Sequence, residues 1–183
     1  MSVEQLKRNR NADEKIVADL QTVDLSGRAF DMIVCWNVLE HLPRPEAAIA
    51  RMASSLRPDG ALVIGVPNLW STKGLVTKLT PHVCHKWVYH YLLHSHSAGV
   101  TPFKTYFRPS VAPRNLERLA AANGLKLVYS ETYAGGIEQI LPQPLRAILQ
   151  GWSRIARAVT RGSIDPSLSE HVAVFKKSEV VPQ

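Results

Sequence analysis

Two cysteines in 183 residues, Cys35 and Cys84, are too few for a disulfide framework. The chain is therefore not a small secreted domain held by cross-links, and a reducing cytoplasm is the expected setting. Long apolar runs are also missing: none approaches the roughly 20 residues that cross a bilayer. The opening "MSVEQLKRNRNADEK" has neither the apolar stretch nor the cleavage pattern of a secretory signal. Low-complexity tracts and internal repeats are absent. Acidic residues run short after residue 60. Residues 1–60 carry 8 basic and 9 acidic side chains, and residues 61–183 carry 14 and 6. The net charge of +7 thus sits in the later part. It favours an anionic partner (a phosphorylated substrate, a membrane surface or nucleic acid) unless this is simply a basic protein without one.

What is present suits one globular domain with a real core. Ser2-Val3-Glu4-Gln5 has the form of a capping box, which predicts a helix over 2–10. "EKIVADL" (14–20) reads as a short strand ending at Asp19. "AFDMIVCW" (29–36) reads as a second strand, whose unbroken apolar middle suits burial on both faces. Cys35 within it is a small core residue. Residues 43–60 predict a helix with Pro45 in its first turn and a stripe of Ala48, Ile49, Met52 and Leu56. Pro58-Asp59-Gly60 stops it, and "ALVIGVP" (61–67) is another buried strand. Strand, helix and strand joined by short turns make a crossover unit of an α/β sheet. Further on, 112–124 predicts a helix stopped by Gly124, 125–133 a strand, and 170–177 a final strand.

Three other stretches invite function. His82, Cys84, His85, His90, His94 and His96 cluster around an expected helix at 82–94. Without an acidic partner or fixed zinc spacing, no metal site is assigned. Trp87, Tyr89 and Tyr91 suggest a packing segment, with a substrate-facing lid as the functional alternative. The 144–162 helix is amphipathic, with Leu145, Ile148, Leu149, Trp152, Ile155 and Val159 on one side. Arg146, Arg154, Arg157 and Arg161 lie largely on the other. Core or dimer packing is the plainer reading, and contact with an anionic membrane surface is the functional one. Nucleic acid is not expected, because basic residues are dispersed and no reading motif occurs. Gly135-Gly136 is a loop, since no strand-to-helix context surrounds it.

"FDMIVCWNVLEHLPRPEAAIARMASSLRPDGALVIGVPN" resembles the central stretch of class I S-adenosylmethionine-dependent methyltransferases. The family's F-D strand, V-L-E-H-L turn, proline-led helix, L-R-P-G/D-G turn and strand ending in P-N occur in that order. Specificity lies in residues 30–68, and a looser likeness spans roughly 2–177. The resemblance implies a Rossmann-like α/β sheet of order 3-2-1-4-5-7-6, with 125–133 and 170–177 as its closing antiparallel strands. It implies S-adenosylmethionine as cofactor and a small-molecule methyl acceptor, recognised by the insert at 68–109. In such sheets ligands lie beyond the carboxyl ends of the parallel strands, where Asp19, Trp36–Asn37 and Pro67–Asn68 fall.

By resemblance, Asp19 and Leu20 meet the adenine, while Trp36, Asn37 and Val38 flank the methionine portion. His41 is the candidate general base, although bracing of the loop is the plainer reading for it. Glu40 is read as a loop-bracing acceptor. The family's opening glycine-rich turn and its ribose-binding acidic residue have no counterpart here: no G-x-G occurs before Gly60. The expectation is a partial domain, N-terminally truncated by two strands and one helix, with an upstream reading frame encoding the turn. Direct closure of strand 14–20 on strand 29–36, or a separate chain between them, are the alternatives. A non-catalytic remnant acting in protein or membrane contact is the competing function.

Overall fold

The computed structural model describes residues 3–72, 74, 105, 106, 108–135 and 143–178. The expected 82–94 helix, the histidine cluster and most of the 68–109 insert lie outside the described residues, as does the Ser2–Gln5 cap.

Helix α1 (Val3–Arg8) opens the chain. The strand expected over 14–20 does not form: this stretch has no ladder partner, and Ile16 and Val17 are exposed. An extended segment with no neighbouring strand has nowhere to place its amides and carbonyls except in water or in side-chain contacts. Here the segment is held by Lys15 Nζ donating to Lys7 O at 3.0 Å and by a two-pronged Glu14–Arg28 pair at 2.6 and 2.7 Å.

Strand β1 (Phe30–Trp36), helix α2 (Pro45–Ser55) and strand β2 (Leu56–Pro67) form the crossover unit. Pro45 stands in the first turn of α2, where its missing N–H costs nothing. Strand β2 begins earlier than expected. Phe30 pairs with Leu56, and the parallel register then jumps to Met32↔Ala61. Pro58-Asp59-Gly60 is thus a kink between two paired stretches of the strand, with Asp59 at φ 61°. Helix α3 (Pro113–Ala122) ends at Gly124, whose φ of 74° suits the left-handed helix stop. Strand β3 (Leu125–Tyr133), helix α4 (Gln143–Val159) and strand β4 (Glu170–Lys177) complete the described elements.

The sheet order is β1-β2-β4-β3, with β1 and β2 parallel and β4 antiparallel to both its neighbours. This is the 4-5-7-6 half of the expected order, and the fold is mixed α/β of the Rossmann-like methyltransferase kind. One face is packed. Ile64, Ala173 and Phe175 at 0% exposure, with Cys35 at 4%, meet Ile49 and Met52 of α2 and Leu116 and Ala120 of α3. The other face is open. Met32 and Val34 of β1 are 59% and 61% exposed.

Burial of β1 on both faces is therefore corrected. Its apolar run packs through Cys35 on one side only, because nothing described covers the alternate residues. Among the described residues β1 pairs with β2 alone, so its second edge is unpaired and strand 14–20 does not close on it.

Candidate functional site

The carboxyl end of β1 is shaped by its neighbour. Trp36 lies across Gly65 of β2, where a Cβ would fall 2.5–2.8 Å from three indole atoms. Glycine is needed there for the ring to seat, and Trp36 still keeps 47% of its surface exposed. The chain then turns sharply. Asn37 adopts φ 52°, a left-handed conformation that asparagine tolerates better than most residues. Its N–H donates to Gly65 O at 2.9 Å. Val38, 37% exposed, leads into a 3-10 turn, Leu39–His41. Leu39 is fully buried and pins the turn to the core.

Asp19 does not end a strand; it opens a turn. Its carbonyl accepts from the amides of Thr22 and Val23 at 3.0 and 2.8 Å. Its carboxylate accepts from Gln21 N at 2.9 Å and from Gln21 Nε2 at 3.0 and 3.2 Å. These hydrogen bonds, side chain first, hold its pKa below the usual carboxylate value, so the exposed group stays ionised. Gln21 is buried, and its Oε1 accepts from Arg44 N at 2.9 Å, just before α2. Arg51 of α2 adds donations to Gln21 O and Val23 O at 2.8 and 2.9 Å. The Asp19–Leu20 turn is thereby fastened to the entry of the helix that follows β1.

Inside the 3-10 turn, Glu40 is 3% exposed and its Oε1 lies 3.7 Å from His41 Nε2. Glu40 O accepts from Tyr106 N at 2.8 Å, and Arg108 Nε donates to Pro43 O at 3.1 Å. Tyr106 and Arg108 are thus stitched along the loop after β1. The charge of Glu40 is also felt at Cys35. Burial first, and the Glu40 charge second, push the Cys35 thiol up to about 12, which suits an inert core residue.

Pro67–Asn68, the third expected strand end, is structural. Asn68 Nδ2 donates to Leu168 O at 2.7 Å, its N–H donates to Ser169 O at 2.8 Å, and Oδ1 caps Trp70 N at 3.1 Å. Among the described residues no group of acidic, histidine and cysteine side chains could hold a metal ion.

The structure therefore joins Trp36, Asn37, Val38, Glu40 and His41 in one loop, with Asp19 and Leu20 tied to its far side through Gln21. Sequence reasoning missed Gln21, Arg51, Gly65, Tyr106 and Arg108. Gly65 alone left a signal, since a glycine inside an apolar strand marks close approach. The rest act through contacts between segments 23 to 66 residues apart, which no local pattern encodes.

Over 63 residues the chain is 30% identical to the ubiquinone biosynthesis O-methyltransferase of Idiomarina loihiensis. That match covers 34% of this chain and 26% of the relative, so it spans about a quarter of that protein. Among solved structures, phosphoethanolamine N-methyltransferase 2 of Haemonchus contortus is similar with a TM-score of 0.51 at 12% identity, over 89% of this chain and 37% of that one. A chain in the Haloferax volcanii complex of the Trm112 methyltransferase activator with a methyltransferase scores 0.53 at 11% identity, over 92% and 62%. At such identities these likenesses speak for the fold. A family model described as a methyltransferase domain matches residues 2–130, which takes in β1, α2, β2 and the loop built above. On that match, which runs over more than half of its 183 residues, the chain belongs to the methyltransferase domain family.

Proposed function

We infer that this chain supplies one wall of an S-adenosylmethionine pocket and the proton acceptor for methyl transfer to a small molecule. The observation that carries the reading is the loop after β1. A half-exposed indole, a left-handed asparagine and an ionised carboxylate held through Gln21 are fastened to one loop, beyond the carboxyl end of a parallel strand.

The donor set fits two parts of the cofactor. Asp19, ionised and exposed, is an acceptor for an exocyclic amine, with Leu20 beside the adenine. The face of Trp36 offers a sulfonium about 0.5–2 kcal/mol of cation–π attraction, and Asn37 and Val38 border the same methionine portion. A glycine-rich turn for the cofactor's carboxylate is lacking among the described residues. The edge of β1 that has no partner among the described residues is where a further parallel strand carrying one would add. When bound, S-adenosylmethionine supplies an electrophilic methyl group. The chain's own work is to orient the acceptor and take its proton, which we assign to His41, backed by the Glu40 carboxylate. The relative from Idiomarina loihiensis is named as an O-methyltransferase, and a small hydroxyl compound is the acceptor class we carry over.

Calorimetric titration with S-adenosylhomocysteine tests this. Charge-assisted hydrogen bonds contribute about 1.5–3 kcal/mol each. Lacking partners for the carboxylate and the ribose, the chain alone is expected to bind about 100-fold or more weakly than the same chain extended by a glycine-turn strand-and-helix unit. Equal, tight binding by the 183-residue chain would contradict the one-wall reading. A second reading, a non-catalytic methyltransferase-like chain working through protein or membrane contact, draws support from the open β1 edge. It prevails if the extended protein also fails to bind.

A further inference from the structure

We propose that helix α4 is a docking surface for anionic phospholipid bilayers, an interaction independent of whether the chain transfers methyl groups. Two stripes run along this helix. Leu149, Ser153, Ala156 and Thr160 recur at helical spacing and are half-buried or buried, so they form the side that faces the protein. Ile148, Trp152, Ile155 and Val159 recur with the same spacing one residue earlier, a rotation of about 100°. They are 67%, 49%, 59% and 77% exposed. The protein-facing side is thus taken by Leu149 and three smaller residues, and the stripe of four bulky apolar residues is turned out to solvent.

Charge selects the occupant. Residues 143–162 hold four arginines and no acidic residue. Arg154, Arg157 and Arg161 are exposed, with Arg157 at 3.3 Å from Asp165. A helix with tryptophan and branched aliphatics on one side and arginines on another suits the boundary between headgroups and acyl chains of an anionic leaflet. A symmetric pairing of two copies fits less well. It would bury the stripe but leave the arginines, on the opposite side of each helix, with no acidic residue of either helix to answer them, whereas an anionic leaflet supplies that charge. Nucleic acid would leave the apolar stripe unburied.

The stripe from Ile148 to Val159 is about 16 Å long, roughly half a bilayer core. No helix among the described residues is long and apolar enough to cross a membrane, so α4 would lie in the interfacial plane.

Co-sedimentation of the full 183-residue chain with vesicles tests the proposal. Vesicles of phosphatidylglycerol and phosphatidylcholine at low salt are expected to pull the chain down, and pure phosphatidylcholine vesicles are not. Ile155→Glu should cut the bound fraction about tenfold or more. Its circular dichroism should match the wild type, because Ile155 packs against little. Arg154→Glu with Arg161→Glu should remove the preference for anionic lipid. Three results would overturn the proposal: no binding to the anionic vesicles, binding that Ile155→Glu leaves unchanged, or a dimer that Ile155→Glu dissolves without any lipid binding. Duplex DNA binding that exceeds lipid binding and ignores Ile155→Glu would overturn it as well.

Discussion

Replacing Phe175 by alanine is expected to cost about 3–5 kcal/mol of folding free energy, while Val34→Thr is expected to cost less than about 0.5 kcal/mol. Both residues sit in the same sheet and both are apolar, but they face opposite ways. Phe175 is fully buried and pairs with Leu62, on the side where α2 and α3 pack. Removing its ring leaves a cavity that β2 and the helices can fill only in part, so the lost transfer energy and the lost contacts add. Val34 pairs with Val63 on the open side and is 61% exposed. Threonine keeps the β-branched shape there and puts a hydroxyl into water. Urea midpoints for the two variants, at unchanged slope, read the difference directly. Equal losses would mean that the open face is covered in solution. If a partner segment pairs with β1 and covers that face, Val34→Thr should become costly in the complex.

The asymmetry of the sheet also explains what the sequence disclosed and what it hid. The crossover unit was legible because its punctuation is local. Pro45 starts α2, Gly124 stops α3, and the Ala48, Ile49 and Met52 stripe lands fully inside, but Pro58-Asp59-Gly60 kinks β2 instead of stopping α2, which already ends at Ser55. Strand 14–20 was misread because its apolar centre, Ile16-Val17, is strand-like in composition while strand formation requires a neighbour. Burial of β1 on both faces was misread for the same reason. "MIVC" reads as a two-sided core strand, yet Met32 and Val34 find no cover among the described residues. Of the candidate site, the residues after β1 were found from their motif. The Gln21 bridge that brings Asp19 to them was not, since a buried glutamine between a turn and a helix entry has no sequence signature.

His41→Ala is the second change with a large expected effect. In the extended protein, with a hydroxyl acceptor, the turnover number should fall about 10²–10⁴-fold. The imidazole is about 29% exposed, so it is accessible to an acceptor, and the Glu40 carboxylate lies 3.7 Å behind it. A base held by a buried carboxylate is oriented before the acceptor arrives, the general logic of an orienter behind a base. If His41 only braces the loop, its loss should instead lower the melting temperature and loosen S-adenosylhomocysteine. The base reading predicts a large loss in turnover with cofactor affinity and melting temperature nearly unchanged. Glu40→Gln separates the roles further. It keeps the volume and a hydrogen-bonding oxygen and removes the charge, so it should lower turnover less than His41→Ala does.

Everything functional here depends on the Asp19 turn and the Trp36 end of β1 bordering one ligand. Heteronuclear NMR of the 183-residue chain titrated with millimolar S-adenosylhomocysteine tests this most directly, because weak binding still moves resonances. The Trp36 indole N–H and the Leu20 amide are expected to shift together along a single binding curve. Movement of one without the other, or shifts confined to distant elements, would contradict it.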